Sequence, residues 1–203
     1  MILYHMSQTL KPGDVLTPDY QECARLCEPF IQALEYGEGC FYGMVLNAKY
    51  TYVLLNRYHL REWSDYAKWA TEGAFEFIRR REYPQSVSRL NCHYFYADLA
   101  DSVRLYQDDW GEETEEERAK VRLFEVELDD EHPDRRDMSV YDAAYEAMSE
   151  RQDVRTVFDC ARRYFSGGHG PGPVWETLSA RRAVAVRDIS RALPGRGDKT
   201  IRF

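Results

Sequence analysis

The sequence has no long hydrophobic run and no clustered cysteines. No segment approaches the roughly 20 continuous apolar residues of a transmembrane helix, so we expect no membrane partner. Residues 1–5 show no basic segment leading into a long apolar one, so we expect no cleaved leader. The five cysteines are odd in number and form no CxxC pair, a usage typical of a reducing compartment, which predicts a cytoplasmic location.

Several motifs of common enzyme classes are also missing. Cys23 and Cys27 are four residues apart, but no second ligand pair accompanies them, so we expect no metal site. The Gly-rich stretch 167–172 lacks the Lys-Ser/Thr of a phosphate-binding loop and is interpreted as a flexible loop. No GxSxG is present, so a hydrolase of that type is not indicated.

Charge and composition define the class of protein. The chain has 203 residues, with 27 basic and 35 acidic side chains and a net charge of −8, which disfavours binding to nucleic acid or anionic lipid. Hydrophobic residues make up 44% and aromatic residues 14%, enough for a folded core. We predict a single domain over residues 1–193 and a flexible basic tail over 194–203.

The first half of the chain predicts strands and helices in alternation. A β-prone run predicts a strand at 2–6, and Pro-Gly predicts a turn at 11–14. Apolar residues at steps of three and four predict a helix over 60–82. The aromatic run 91–97 predicts a strand, after which Asp98 is placed to cap a helix.

The second half completes a mixed inventory. Residues 108–118 hold seven acids and are predicted to form an exposed loop outside any catalytic site. The pattern predicts a strand over 121–128, helices starting near Ser139 and Asp153, and a helix end at Gly167-Gly168. Short strands follow at 174–178 and 183–189, so the expected class is α+β.

Three motifs that are far apart in the sequence lie on three of the predicted strands. They are Tyr4-His5-Met6-Ser7 on the first strand, Tyr94-Phe95-Tyr96-Ala97-Asp98 followed by Ser102 and Tyr106, and Trp175-Glu176 on a late strand. In this order the chain resembles the His-Tyr-Glu branch of the ADP-ribosyltransferase superfamily, which contains diphtheria-type toxins and poly(ADP-ribose) polymerases. It also resembles a group of poorly characterised bacterial and phage proteins of that fold.

The resemblance implies a fold and an activity. The implied fold has two small, split antiparallel sheets with NAD⁺ in the cleft between them and helices packed outside. The implied activity is mono-ADP-ribosyl transfer from NAD⁺, the co-substrate, to a macromolecular acceptor, which we expect to be a protein. Such a protein would serve as a bacterial effector, a toxin or a phage counter-defence factor.

The resemblance also assigns roles to residues. Glu176 corresponds to the catalytic carboxylate, and His5 to a ribose contact. The other implied NAD⁺ contacts are Met6, Ser7, Tyr94, Phe95, Tyr96 and Tyr106, with Arg89 proposed as a pyrophosphate contact. Taken singly, His5, the three tyrosines and Glu176 are each more typical of an ordinary structural position, and Arg89 is equally typical of an ordinary surface arginine.

Some residues depart from the family pattern. Met6 stands where the family has glycine, and Phe95 stands at the first stacking position in place of tyrosine. Val174 occupies the position at which arginine-directed relatives carry a second acid or amide, which disfavours an arginine acceptor. Two alternatives stay open: NAD⁺ hydrolysis by the same residues, and a non-catalytic binding or inhibitor protein with the same fold.

Overall fold

The computed structural model describes residues 1–18, 21–47, 57, 63–151 and 154–196. These residues form two compact units, each made of separate stretches of chain. Unit 1 comprises residues 1–18, 93–135 and 175 onward, and unit 2 comprises residues 19–92 and 136–174. The expectation of one domain over 1–193 stays a prediction.

The structure is mixed α+β, with antiparallel strand pairs. The strands are β1 (Ile2–Ser7), β2 (Val15–Leu16), β3 (His93–Phe95), β4 (Arg122–Leu128), β5 (Asp134–Asp137), β6 (Trp175–Ser179) and β7 (Ala183–Asp188). The helices are α1 (Gln21–Tyr36), α2 (Glu38–Leu46), α3 (Trp63–Glu82), α4 (Leu99–Trp110), α5 (Glu115–Lys120), α6 (Met138–Ser149) and α7 (Val154–Phe165). None of these helices, within the part of the chain described, is long and apolar enough to cross a membrane.

The strands form two small sheets, which belong to unit 1 except for the last two residues of β5. One has the order β1-β4-β7-β2 and the other β3-β6-β5, and the pairs β1–β4, β4–β7, β2–β7 and β3–β6 are antiparallel. Tyr4 and Tyr96 exchange two backbone hydrogen bonds of 2.8 and 2.9 Å, which place β1 beside the end of β3. β1, β3 and β6 therefore lie side by side.

Apolar side chains cover both faces of the first sheet. On one face, Leu3, Phe124 and Val126 form a buried cluster that also includes Phe95 of β3. On the other face, Leu123 packs with residues of α4 and of the segment after β7. The alternation along β4, which was predicted as a strand over 121–128, places Phe124, Val126 and Leu128 in one buried cluster.

Unit 2 is helical and is organised around α3, which packs against α1, α6 and α7. Its residues from 66 to 76 are almost all buried, so α3 is enclosed by its neighbours rather than lying on a surface. Gly73 is the point of closest approach, because a Cβ there would lie 2.8 Å from Cβ of Phe30 in α1. Gly73 therefore has a packing role between α1 and α3.

The Gly-rich segment before β6 is anchored rather than free. The buried carboxylate of Asp137 accepts hydrogen bonds from the amides of Gly170 (2.7 Å) and Val174 (2.9 Å) and from the amide and hydroxyl of Ser139. Burial alone would raise the pKa of Asp137, but these hydrogen bonds lower it. Asp137, not Ser139, is also the N-cap of α6.

Most strand predictions are confirmed, and the main error concerns the acidic segment. Strands appear at the expected places in β1, β3, β4, β6 and β7, and Asp98 caps α4 by accepting from the amide of Ala100. Residues 108–118 are largely exposed, as predicted, but they are not a loop. They include the end of α4 and the start of α5. Thr114 caps α5, and three glutamates in its first turn stabilise the helix by lying at the positive end of its dipole.

Two predictions concern residues that are mostly not described. The predicted tail at 194–203 lies largely outside the described residues, as does the start of the predicted helix at Asp153.

Replacing Gly73 with alanine should destabilise the protein by about 1–3 kcal/mol, because the added methyl group forces α1 and α3 apart. Alanine's higher helix propensity, worth about 1 kcal/mol, offsets only part of this cost. Gly43→Ala is the matched control, since Gly43 is exposed within α2 and has open space around it. Urea unfolding of both variants checks the prediction, and a Gly73→Ala protein as stable as wild type would contradict the packing role.

Candidate functional site

The three motifs that are far apart in the sequence lie on adjacent strands of unit 1. His5 is on β1, Tyr94 and Phe95 are on β3, and Glu176 is on β6, the central strand of its sheet. The Tyr4–Tyr96 backbone bonds join the first pair, and the register Phe95↔Thr177 joins the second. Segments about 80–90 residues apart in sequence are thus brought within two strand spacings.

Strand pleating divides the motif residues between two faces. Phe95 pairs with Thr177 and His93 pairs with Ser179, so these four side chains share one face with His5, whose ring contacts both His93 and Phe95. We call this side the His5 face. The opposite side, the Glu176 face, carries Tyr4, Tyr94, Tyr96, Glu176 and Leu178.

His5 is held in one orientation and one tautomer. Its Nδ1 lies 2.8 Å from the carbonyl oxygen of Tyr94, and because a carbonyl only accepts, Nδ1 carries the proton and donates it. Burial lowers the pKa of His5, although this hydrogen bond acts in the opposite direction, so the ring is neutral at pH 7. Its Nε2 is therefore an acceptor, which suits a ligand hydroxyl or amide as donor.

His93 is a residue that the sequence interpretation missed. Its ring lies edge-on to His5 at 6.3 Å and is tilted against Phe95 at 6.0 Å. Burial, helped by the neighbouring His5, lowers the pKa of His93 to about 4. The only available sequence signal was its spacing, because His93 and Phe95 are two apart on one strand and must share a face.

Glu176 is almost completely enclosed, with 1% of its surface exposed. It precedes Thr177 on β6, so its side chain starts from the face opposite His5 and shares a face with Tyr94. The sequence predicted a single cleft for His5, the aromatic residues and Glu176. The strands do come together, but the pleat directs His5 and Glu176 to opposite sides.

The remaining predicted contacts on β1 and α4 have structural partners. Met6 packs in an apolar cluster with Tyr106, whose ring stacks on Trp110 and whose hydroxyl donates to the carbonyl of Arg118 at 3.3 Å. Ser7 accepts hydrogen bonds from the amides of two residues that follow it, at 3.2 Å each. These contacts stabilise the turn after β1 and the packing of α4 on the first sheet.

Arg89 belongs to unit 2 and is engaged there. Its guanidinium donates to the carboxylate of Glu72 at 3.2–3.3 Å and to the hydroxyl of Tyr164 at 2.8 Å, and it lies 3.9 Å from the ring centre of Tyr141. Arg89 is 8% exposed and Glu72 is 6% exposed. These donors already have partners, so the pyrophosphate role is not carried into the proposal below.

Metal-ligating residues are dispersed in the described parts of the chain. There, no three His, Cys, Asp or Glu side chains are grouped so that they could hold a metal ion. The cysteines are free thiols, and burial raises the pKa of Cys27 and Cys23 in α1. Neither thiol is thereby activated as a nucleophile.

The comparisons with known proteins assign the chain to a family of unknown function. Residues 3–189 match the model of the family described as "Protein of unknown function (DUF2441)". The match covers most of the chain, so the chain belongs to this family. No curated protein matches it.

Arg89→Ala should cost about 3–5 kcal/mol of stability, because it leaves the buried Glu72 carboxylate without its cation. Arg104→Ala is the control, since Arg104 forms an exposed pair with Asp101 at 3.3 Å, and such pairs contribute less than about 1 kcal/mol. Chemical denaturation measures both. Similar small losses for the two variants would contradict the structural role assigned to Arg89.

The depressed pKa of His93 predicts a pH-dependent stability. The unfolded chain takes up a proton near pH 6.5 and the folded chain only near pH 4, so this contribution is complete above pH 6.5 and is lost as the pH falls to 4. Because the ring is only partly buried, we expect the loss to be about 1 kcal/mol after discounting for solvent screening. His93→Phe removes the titrating group, so its free energy of unfolding should fall less over this pH range. Parallel curves for wild type and His93→Phe would contradict the prediction.

Proposed function

We propose that this member of the family binds NAD⁺ and transfers its ADP-ribose to a protein acceptor. One observation carries the proposal: the three segments that resemble the ADP-ribosyltransferase motifs lie on the adjacent strands β1, β3 and β6. Residues this far apart in sequence have no local reason to meet, so their common position supports a shared site. The two small sheets agree with the fold that the resemblance implies.

His5 supplies a binding group of the proposed site. The Nε2 of neutral His5 accepts a hydrogen bond from a ribose hydroxyl. The hydroxyl donates and His5 accepts, because Nδ1–H is already bound to Tyr94. The phenyl ring of Phe95, 5.7 Å from the His5 ring centre, is fully buried in the core cluster and packs against the His5 ring.

Glu176 is the proposed catalytic carboxylate. The bond from ribose C1′ to the nicotinamide nitrogen breaks, its electron pair leaves with nicotinamide, and C1′ becomes cationic. The acceptor atom then bonds to C1′ and loses a proton. A carboxylate stabilises the cation and accepts that proton, which requires Glu176 to reach the ribose from its own face of β6.

A second candidate function is ligand binding without catalysis, by residues of the same strands. It is favoured by the pleat, which directs Glu176 to the opposite side from His5. In that case the His5 face holds NAD⁺ or a related nucleotide, and Glu176 has a structural role. NAD⁺ hydrolysis needs the same carboxylate as transfer. The two reactions differ only in the acceptor, which is water in hydrolysis and a protein in transfer.

Glu176→Gln should lower the rate of nicotinamide release about 10²–10³-fold, or about 3–4 kcal/mol, with little change in NAD⁺ affinity. Glutamine retains the shape but not the charge, so the loss reports on transition-state stabilisation. Glu127→Gln, at an exposed position of β4, is the control and should keep the wild-type rate. The measurement is nicotinamide release with and without added acceptor protein, with folding verified by circular dichroism.

The outcomes separate the candidates. NAD⁺ binding with no nicotinamide release by the wild-type protein supports the non-catalytic candidate. Equal release by wild type and Glu176→Gln excludes Glu176 as the catalytic group. A wild-type protein whose melting temperature does not respond to millimolar NAD⁺ contradicts both, since a ligand of the folded state raises that temperature by mass action.

A further inference from the structure

A cavity lies on the side of the first sheet that is opposite to His5. Phe124 of β4 pairs with His5 of β1, so the next residue of β4, Glu125, points to the other side. Arg187 of β7 pairs with Glu125 and shares that side. These two residues line the cavity together with residues 188–192 and the start of α4, and we call it the Arg187 cavity. Its volume of about 700 Å³ lies within the range of roughly 300–1,000 Å³ that is usual for small-molecule sites.

The cationic and apolar groups of the Arg187 cavity are accessible. The side chain of Arg187 is 66% exposed, and Arg191 is also exposed. Leu99 and Ile189 are half-buried and pack against the cluster that contains Leu123, so each leaves part of its side chain at the cavity wall. A ligand therefore reaches two guanidinium groups and an apolar surface without opening the core.

The charges at the cavity leave one cation without a partner. The carboxylate of Glu125 accepts from Nε and Nη2 of Arg187 at 3.0 and 2.6 Å. The carboxylate of Asp188 accepts from Nε of Arg122 at 2.8 Å. Arg191 forms no ion pair or hydrogen bond with any other residue that the structure describes. Each carboxylate is thus neutralised by an arginine, and the remaining positive charge of Arg191 favours an anionic ligand.

The open donors restrict the chemistry of that ligand. The whole guanidinium group of Arg191 is available, and Arg187 keeps Nη1, because Glu125 engages its other two nitrogens. A guanidinium group binds a phosphate or a carboxylate through two parallel hydrogen bonds, which are stronger than those to an uncharged group. Leu99 and Ile189 add an apolar surface that an inorganic ion would leave exposed to water.

We infer that the Arg187 cavity binds a small organic molecule in which a phosphate or carboxylate group is attached to an apolar body. Arg191 holds the anionic group through two hydrogen bonds, and Nη1 of Arg187 donates a third. The apolar body packs on Leu99 and Ile189. The inference does not depend on the proposed function, because the cavity and His5 lie on opposite sides of the sheet.

Phenyl phosphate and benzoate are suitable probes, because each joins an anionic group to an apolar ring. In an NMR titration of the wild-type protein, they should shift the backbone amides of residues 187–192 and Leu99 and leave that of His5 unchanged. Both should bind more tightly than inorganic phosphate, which lacks the ring, and than phenol, which lacks the charge. The tighter of the two probes identifies the preferred anionic group.

Arg191→Gln should weaken binding of the tighter probe about tenfold, as expected for the loss of one charge-assisted hydrogen bond. Because Arg191 is exposed and has no partner among the described residues, the variant should fold like wild type. Arg104→Gln is the control. It removes an exposed arginine of α4 that pairs with Asp101 and does not line the cavity, so it should keep the wild-type affinity.

Glu125→Gln should change the affinity in the opposite direction. It removes a carboxylate that engages Arg187 and repels an anion, so the probe should bind about two- to fivefold more tightly. A loss of structure alone would lower the affinity of both variants. Opposite changes in Arg191→Gln and Glu125→Gln therefore separate a binding role from a structural one.

Equal affinities of wild type and Arg191→Gln overturn the inference, as does a wild-type protein whose amides respond to neither probe at millimolar concentration. The NAD⁺ affinity should be the same in wild type and Arg191→Gln. A parallel loss of NAD⁺ binding would show that the cavity belongs to the NAD⁺ site and would overturn its assignment as a separate site. Failure of the wild-type protein to bind NAD⁺ contradicts the proposed function and leaves the Arg187 cavity standing.

Discussion

Two backbone hydrogen bonds between Tyr4 and Tyr96 determine the arrangement of the proposed site. They place β1 beside the end of β3, and the pairing of β3 with β6 then brings the late strand alongside. The carbonyl of Tyr94 adds a third link, since it accepts from His5 and fixes that side chain. Because backbone groups make the first two contacts, the adjacency of β1 and β3 depends on the register and not on which side chains occupy the strands.

The same register imposes the main restriction on function. Successive residues of a strand point to opposite sides, so a shift of one position exchanges the faces. Thr177 rather than Glu176 shares a side with His5, and Tyr94 and Tyr96 share a side with Glu176. The His5 face carries imidazoles, a phenyl ring and hydroxyl groups, and the Glu176 face carries tyrosines and a carboxylate.

The sequence predicted those parts of the fold that short-range patterns determine. Alternating residues in β4, the Asp98 cap and the turn at Gly13, which has a positive φ, all follow from local chemistry. α1 and α2 were not predicted, since α1 contains Pro29 and α2 contains two glycines and lacks a polar face. The density of acids in residues 108–118 indicated a loop, because neighbouring carboxylates repel one another. That prediction left out a second effect: glutamates in the first turn of a helix stabilise it.

For the candidate site, the identities of the residues did not predict which side chains would lie on the same face. The adjacency of the three motif strands was anticipated through the resemblance, but the sides to which their residues point depend on a register that only tertiary structure fixes. Arg89 illustrates a related limit: an arginine before an aromatic strand suits a phosphate equally well, and the buried Glu72 that engages it lies 17 residues earlier. His93 received no role in the sequence interpretation, although it carries the unsatisfied nitrogen on the His5 face. That nitrogen is buried without a hydrogen-bond partner among the described residues, a cost in stability that short-range patterns do not predict because it depends on how the strands pack.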